Sequence, residues 1–416
     1  MNKTAVSLVK LTLVFAAGVF LVVMFVSAMA ATATRSEVEP NDTPATANTL
    51  DTSEDITGTI APVGDVDYFQ VDGVNQLWGY IAMLDTSGSI TSTHGTLTAF
   101  GQDGTTQLQI DSGSWISGSV LAWQKFVDSS ADHYIRVSET GDDETLGPYS
   151  LRYYRLAMSV QDEVEPNDTP ATAMVSAKSN KGAMDSPGDV DCFSISVQDG
   201  EQFLFALNAD PDNNGSTTDF ELQLYDPADI QIASADFGGV GGNEVIDNIT
   251  LPETGIYKYC ISSPSGTPDP LDEYIAGPVR NGHNYYPTYI LKPVWLNPGP
   301  AGTVAMGSSL TFQLNFTNTS LLPMPGWIGM YGRFDENCLE LVDAPGAYYT
   351  STKEARWEMV DLGPGEVFTA EFETRAKIGC QDNVHESVVM AYYDLGVGKD
   401  GFYNVLPGVY LPLVTK

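Results

Sequence analysis

The chain has 416 residues, of which 43% are hydrophobic and 10% aromatic, which is enough for two to four folded domains and argues against disorder. It contains 54 acidic and 19 basic residues, giving a net charge of −35. This balance excludes a nucleic-acid binder, because phosphate contacts come from Lys and Arg, and it suits hard cations such as calcium. The 39 glycines and 24 prolines favour a turn-rich β protein.

The chain begins with the features of a secretory signal peptide. Lys3 and Lys10 precede an apolar run at 11–26, and Ala28 and Ala30 form a small-residue cleavage site. We expect residues 1–30 to be removed and the mature protein to be secreted, extracellular or at the cell surface. The alternative is an uncleaved membrane anchor, since the apolar run is almost long enough to span a bilayer. No later segment has that length, so we expect no membrane span after cleavage.

The most informative feature is an internal duplication. Residues 36–47 read SEVEPNDTPATA and residues 162–173 read DEVEPNDTPATA, which differ only at the first position. Downstream, GDVDYF at 64–69 recurs as GDVDCF at 188–193. Several ordered motifs therefore recur twice, which predicts two copies of one domain.

The two copies differ at one pair of aligned positions. Cys192 and Cys260 of the second copy stand where the first copy has Tyr68 and Arg136. A paired substitution is what a disulfide between neighbouring strands would leave, and an even cysteine count in an exported chain favours disulfides. We predict a Cys192–Cys260 disulfide. Because pairing cannot be deduced from sequence alone, free buried thiols remain the alternative.

Alternating and continuous apolar runs bounded by Gly, Asn and Asp predict strands, and no long helical period occurs after the signal. The one helical feature is a short turn at 43–47 and its copy, where Asp42 or Thr43 can act as the N-cap. Strand-like runs at 149–154 and 285–292 are expected to close the two copies.

The copies resemble the bacterial pre-peptidase C-terminal domain. The motifs that carry the resemblance are the opening E-x-E-x-N-D-T segment, the G-D-x-D-x-F strand and a late Y-x-x-V strand. The second copy adds TDFELQLYDP at 218–227, similar to that family's central hairpin, whereas the first copy departs from it with HGTLTAF at 94–100. The resemblance covers roughly 250 residues. It implies jelly-roll-type β-sandwiches exported with hydrolases, and a relationship to clostridial collagen-binding modules.

The third region is different in sequence. Apolar and polar residues alternate at 310–317, and GPGE at 363–366 is a turn before another alternating strand. These segments resemble an immunoglobulin-like bacterial surface domain. The remaining cysteines, Cys338 and Cys380, are predicted to form a disulfide within it. The predicted organisation is a signal peptide at 1–30, sandwiches at 36–158, 162–293 and 297–405, and a C-terminal tail, which could be a terminal strand, at 406–416.

Acidic residues two apart open both copies, a spacing that places alternate side chains of an extended segment on one face. If the strand acids lie beneath this segment, the carboxylates would repel without a cation and would supply the oxygen ligands that Ca²⁺ prefers. In the collagen-binding relatives, calcium sits where the acidic entry segment meets the sandwich. The predicted ligands are Glu37, Glu39, Asn41, Asp42, Asp65 and Asp67, and in the second copy Glu163, Glu165, Asn167, Asp168, Asp189 and Asp191.

Two alternatives to this calcium hypothesis remain open. Asp67 could cap a turn, and both sets could be solvated loop acids in an acidic chain. A calcium ion bound at the second set would tie the segment between the copies to the second sandwich, so chelation is expected to loosen their angle and lower the melting temperature.

No HExxH, GxSxG or Cys–His arrangement occurs, and no segment is typical of an enzyme scaffold, so we expect no catalytic activity. Aromatic residues of the first copy could form a platform for glycan or peptide, although aromatics at strand spacing usually pack in the core. These are Trp78, Trp115, Trp123, Tyr149, Tyr153 and Tyr154.

The predicted function is a secreted, non-catalytic, calcium-binding accessory module that attaches to a cell-surface or extracellular polymer, glycan or protein, with a peptidase as a candidate partner. The alternatives are a structural stalk or spacer of the cell surface, and an accessory part or remnant of an extracellular hydrolase.

Overall fold

The structure is a computed structural model that describes residues 33–51, 54–71, 78–92, 94–114, 119–125, 132–157, 160–176, 178–265, 267–280, 283–284, 289–297, 307–324, 328–334, 336, 339–358, 361–377, 388–394 and 402–403. Within these ranges the chain forms six sheets that pair into three sandwiches, which confirms the predicted all-β sandwich fold. None of the helical turns there is long and apolar enough to cross a membrane. The predictions for the signal peptide, Cys338, Cys380 and the tail lie outside the described residues.

The described part of the first copy contains ten strands. They are β1 (Ala33–Ser36), β2 (Asn48–Thr49), β3 (Glu54–Ile60), β4 (Val66–Val71), β5 (Trp78–Asp85), β6 (His94–Phe100), β7 (Gln107–Ser114), β8 (Ser119–Lys125), β9 (His133–Glu139) and β10 (Leu146–Ala157). One sheet has the order β1-β3-β10-β5-β8 and the other β2-β4-β9-β6-β7. Alternate apolar side chains such as Ile56, Phe69 and Leu97 are buried between the two sheets and form the core.

The second copy repeats this architecture. Its strands are β11 (Val160–Asp162), β12 (Met174–Val175), β13 (Ser179–Ala183), β14 (Val190–Val197), β15 (Gln202–Asn208), β16 (Glu221–Tyr225), β17 (Gln231–Ala235), β18 (Glu244–Thr250), β19 (Gly255–Ser262), β20 (Glu273–Arg280) and β21 (His283–Asn284). The sheet orders are β11-β13-β20-β15-β18, with β21 paired to β20, and β12-β14-β19-β16-β17. Each of the first ten strands therefore has its counterpart in the first copy, as the duplication requires.

The predicted helical turn is a single 3₁₀ turn in each copy, at Pro44–Thr46 and Pro170–Thr172. Its N-cap residue is Thr43 or Thr169 rather than the aspartate before it. Proline at the first position needs no hydrogen-bond acceptor, which explains why the sequence begins the turn there.

The predicted disulfide is confirmed in the second copy. Cys192 on β14 lies directly opposite Cys260 on β19, and the two sulfurs are bonded. In the first copy the aligned pair is Tyr68 opposite Arg136, and the Arg136 guanidinium lies 5.3 Å from the centre of the Phe100 ring. In the first copy the cation–π contact instead joins β9 to β6, the neighbour of β9 on its other side.

The third sandwich contains nine strands within the described residues. They are β22 (Tyr289–Asn297), β23 (Ser309–Asn318), β24 (Ile328–Phe334), β25 (Leu339–Asp343), β26 (Tyr349–Thr350), β27 (Glu354–Glu358), β28 (Val367–Ala376), β29 (Val388–Asp394) and β30 (Phe402–Tyr403). The orders β22-β23-β28-β25 and β26-β27-β24-β29-β30 contain the A-B-E-D and C-F-G pairings of immunoglobulin-like sandwiches.

One predicted strand assignment is wrong. The run at 285–292 was expected to close the second copy, but β22 pairs with β23 in the third sandwich. The closing position of the second copy is taken by β20, which carries Tyr274 where β10 carries Tyr149. The reason is that apolar alternation predicts a strand but does not specify which strand pairs with it.

Candidate metal centre

The first candidate centre lies where the segment after β1 crosses the beginning of β4. One carboxylate oxygen from each of Glu37, Glu39 and Asp67 lies within 4.8 Å of the other two. Asp67 is completely buried, whereas Glu37 is half-buried and Glu39 is exposed. A buried carboxylate is costly unless a proton, a cation or hydrogen-bond donors compensate it. The geometry therefore requires a partner for Asp67.

A buried tyrosine joins two of these carboxylates. The hydroxyl of Tyr149 lies 2.5 Å from Oδ2 of Asp67 and 2.9 Å from Oε2 of Glu37. A hydroxyl has one proton, so it can donate to only one of them at a time. Burial raises the pKa of Asp67 to about 9, and the nearby carboxylates of Glu37 and Asp65 contribute in the same direction. Without a cation, Asp67 therefore holds a proton at neutral pH.

Asn41 completes the first group. Its side-chain amide is buried and lies 2.9 Å from both Oδ1 of Asp67 and Oε2 of Glu39. With the nitrogen turned toward these oxygens the amide donates to both, and with the oxygen turned toward them it becomes a further ligand. Its backbone carbonyl accepts a hydrogen bond of 2.9 Å from the amide of Tyr68, which fixes this segment against β4.

The second copy repeats the arrangement, with one difference. Glu163, Glu165 and Asp191 converge, and the Tyr274 hydroxyl lies 2.6 Å from Oδ2 of Asp191 and 3.2 Å from Oε2 of Glu163. Burial raises the pKa of Asp191 to about 9. Its Oδ1 is buried and has no hydrogen-bond partner among the described residues, while the Asn167 amide lies 3.0 Å from both carboxylate oxygens of Glu165. Asp191 thus brings a buried carboxylate with one unpartnered oxygen into a cluster of oxygen ligands.

A further group of acids forms only in the second copy within the described residues. Carboxylate oxygens of Glu165, Asp168 and Asp189 lie within 4.8 Å of one another. Asp185, which stands where the first copy has Ala61, is among the acids that raise the pKa of Glu165 beyond the effect of burial. The second copy therefore carries more negative charge around equivalent ligands.

The two strand aspartates of the first copy have different roles. Asp65 precedes β4, and its carboxylate accepts hydrogen bonds from the backbone amides of Ala61 (2.9 Å) and Val66 (3.0 Å). Asp65 therefore caps the turn, and the interpretation of Asp67 as the turn cap is wrong. Asp42 is exposed, and neither Asp42 nor Asp65 belongs to the converging group of the first copy.

Four residues that shape these centres were not predicted from the sequence: Gly58, Gly182, Tyr149 and Tyr274. A Cβ on Gly58 would lie 2.3 Å from Oε2 of Glu37 and 2.4 Å from the Tyr149 oxygen, and one on Gly182 would be equally close to its own glutamate and to Tyr274. Only glycine leaves room for the glutamate–tyrosine contact at this point on the strand. The signal that could have revealed these residues is their recurrence at equivalent positions in both copies.

The tyrosines proposed for an aromatic platform do not form one. Tyr149 and Tyr153 are buried in the core of the first sandwich, and Tyr154 packs against the second sandwich. The side chains of Trp78, Trp115 and Trp123 lie outside the described part of the structure.

No family model matches the chain, and no curated protein matches it. Similar solved structures include the pre-peptidase C-terminal domain of a Bacillus anthracis collagenase, at 11% identity over 28% of this chain and 100% of that chain, with a TM-score of 0.21. A putative secreted protein from Eubacterium rectale is similar at 10% identity over 57% of this chain and 85% of that chain, with a TM-score of 0.22. A Bacteroides uniformis beta-glucuronidase is similar at 8% identity over 53% of this chain and 25% of that chain, with a TM-score of 0.16. Similarities at these TM-scores carry no argument about activity, so the case for the centres rests on their own residues.

Proposed function

We propose that this chain is a secreted, non-catalytic accessory module whose first two sandwiches each bind calcium, and which attaches to a cell-surface or extracellular polymer in association with a peptidase. The observation that carries the calcium proposal is the convergence of the buried Asp191, whose Oδ1 has no hydrogen-bond partner among the described residues, with the carboxylates of Glu163 and Glu165. The export signal, the missing catalytic motifs and the resemblance to collagen-binding modules support the wider role.

The chemistry of the ligands favours calcium over other metals. Both main groups contain carboxylate oxygens and an adjacent amide, and neither contains His or Cys, which transition metals prefer. Ca²⁺ accepts six to eight oxygens in flexible geometry, whereas Mg²⁺ requires a near-ideal octahedron. Glu37, Glu39, Asp67 and the Asn41 oxygen would hold the ion in the first copy, and their counterparts would hold it in the second. Bound calcium would supply the positive charge that the buried carboxylate lacks.

Tyr149 and Tyr274 are positioning residues in this scheme. In the calcium-free state Asp67 retains a proton, so the two carboxylates around the Tyr149 hydroxyl are not both charged. With an ion in place of that proton, the hydroxyl could still donate to one of the two carboxylates, and the Asn41 amide would present its oxygen as a ligand. Calcium binding is therefore coupled to proton release, as is general for ligands that must deprotonate.

Calorimetric titration of metal-free mature protein with Ca²⁺ tests the proposal. We expect binding in both sandwiches, with Kd values on the order of 10⁻⁴–10⁻³ M as in many extracellular modules. The variant Asp67→Asn/Asp191→Asn should lose both events, because an amide cannot supply the buried charge. The control Glu144→Gln removes an exposed acid outside the groups and should bind normally. Absence of calcium binding by the wild-type protein would contradict the proposal.

Sedimentation with insoluble collagen and with insoluble glycans tests the attachment role. Retention on either polymer supports a binding module, and the retained class identifies the ligand. Retention on neither would favour the structural spacer instead. Loss of calcium binding with unchanged polymer retention would show that the two properties are separate.

A further inference from the structure

The first two sandwiches share a buried apolar interface. Ile81 and Met83 on β5 are buried together with Leu204 and Ala206 on β15 and with Val279 on β20. These residues alternate with those that fill each sandwich's own core, so they lie on the outer faces of the two sheets. The sheet β1-β3-β10-β5-β8 therefore packs against the sheet β11-β13-β20-β15-β18.

The interface joins equivalent positions of the two copies. Tyr154 lies five residues after Tyr149, as Val279 lies five residues after Tyr274, and both contribute to the contact. Tyr154 is paired with Ile81 across its sheet, and Val279 is paired with Leu204 across the matching sheet. The same patch of each copy thus meets the other, which is the arrangement of a two-fold symmetric dimer inside one chain.

One charged group breaks this symmetry. Arg152 on β10 contacts Asp55 through Nε–Oδ1 at 2.8 Å and Nη2–Oδ2 at 3.2 Å, and its Nη1 lies 3.7 Å from Oδ1 of Asp247 on β18 of the second copy. The position equivalent to Arg152 in the second copy is Gly277. Two second copies packed face to face would therefore bury Asp247 without a cation, and only the unlike pair supplies one.

We propose that this interface makes the two sandwiches one rigid body, and that the Arg152–Asp247 ion pair selects the pairing of unlike copies over the pairing of like copies. The covalent connection is short, because β10 ends at Ala157 and β11 begins at Val160. The orientation of the sandwiches is set by the buried faces, so chelation of calcium should leave their angle unchanged. This replaces the expectation that the ion controls that angle.

Small-angle scattering and calorimetry of the full mature chain test the proposal. In the variant Ile81→Asp/Leu204→Asp, two carboxylates enter an apolar interface, so we expect a larger radius of gyration and separate unfolding transitions for the two sandwiches. The matched control Ile90→Asp/Leu271→Asp changes the same residue types at positions that are 88% and 82% exposed and should behave as wild type. Scattering of the interface variant identical to that of the control would overturn the proposal.

A charge exchange separates loss of the interface from loss of folding. Arg152→Asp and Asp247→Arg should each enlarge the radius of gyration or produce dimers, and the double variant should restore the compact monomer because the attraction is restored with reversed signs. If both single variants have a larger radius of gyration and the double variant does not return to that of the wild type, the selective role of this ion pair is overturned. Calcium chelation serves as a separate arm, and an enlarged radius after chelation alone would contradict the rigid interface.

Discussion

Raising the pH should destabilise the calcium-free protein, because Asp67 and Asp191 hold protons only in the folded state. Burial raises the pKa of each to about 9, whereas an aspartate in the unfolded chain has a pKa of about 3.9. A folded pKa above the unfolded value stabilises at low pH, and that contribution is lost as the pH rises through the folded pKa. The window runs from about pH 4 to pH 9.

The size of the effect follows from one proton per sandwich. Each proton bound only in the folded state changes the free energy of unfolding by up to about 1.4 kcal/mol per pH unit, so moving from pH 5 to pH 7 removes about 2.7 kcal/mol per sandwich. For a sandwich of about 125 residues this corresponds to a fall in melting temperature of roughly 10 °C.

Differential scanning calorimetry of chelated protein at both pH values measures this fall. The variant Asp67→Asn/Asp191→Asn serves as the reference, because its amides cannot titrate while the rest of the acidic surface is unchanged. We expect the wild type to lose more stability than the variant between pH 5 and pH 7, and saturating calcium to abolish the difference. The same pH dependence in both proteins would refute the assignment of protons to these two residues.

Three further changes probe the centres and the cross-link. Gly58→Ala should abolish calcium binding in the first sandwich by forcing Glu37 away, whereas Gly88→Ala, whose Cβ would make only an ordinary 3.7 Å contact, should bind normally in titration. Ala61→Asp should tighten calcium binding in the first sandwich several-fold, and unchanged affinity would show that the extra acid of the second copy is irrelevant. Cys192→Ser opens a loop of 68 residues and should cost about 4 kcal/mol of unfolding free energy, measured by denaturant titration, with a cost near zero contradicting it.

The sequence was sufficient to predict the sandwich fold and the acids of the centres because both recur locally in each copy. The opening glutamates are two residues apart, and the aspartates begin a strand that is itself duplicated. Tyr149 was not predicted as part of the centre because it is 112 residues away from Glu37 and reaches it only through the pairing of β10 with β3. Contacts that depend on sheet order cannot be deduced from local spacing.

Equal spacing also concealed the difference between Asp65 and Asp67. Residues two apart share a face only within one regular strand, and Asp65 lies before β4, in the turn that its own carboxylate caps. Asp67 lies inside the strand, so its side chain is carried into the interior. In the first copy the boundary of the strand, which sequence patterns locate poorly, thus decides which of the two aspartates joins the converging group.

The partly buried acids at the interface and the buried aspartates of the centres differ in the source of the compensating positive charge. Between the sandwiches, Asp55 and Asp247 share the guanidinium of Arg152. In the centres, the charged groups that act most on Asp67 are other carboxylates, Glu37 and Asp65. With 19 basic residues for 54 acids, the chain supplies an arginine at the interface but leaves the centres to a proton or an external cation. The packing at the interface should therefore be unaffected by chelators and by changes in calcium concentration. The stability of the centres should depend on both calcium and pH.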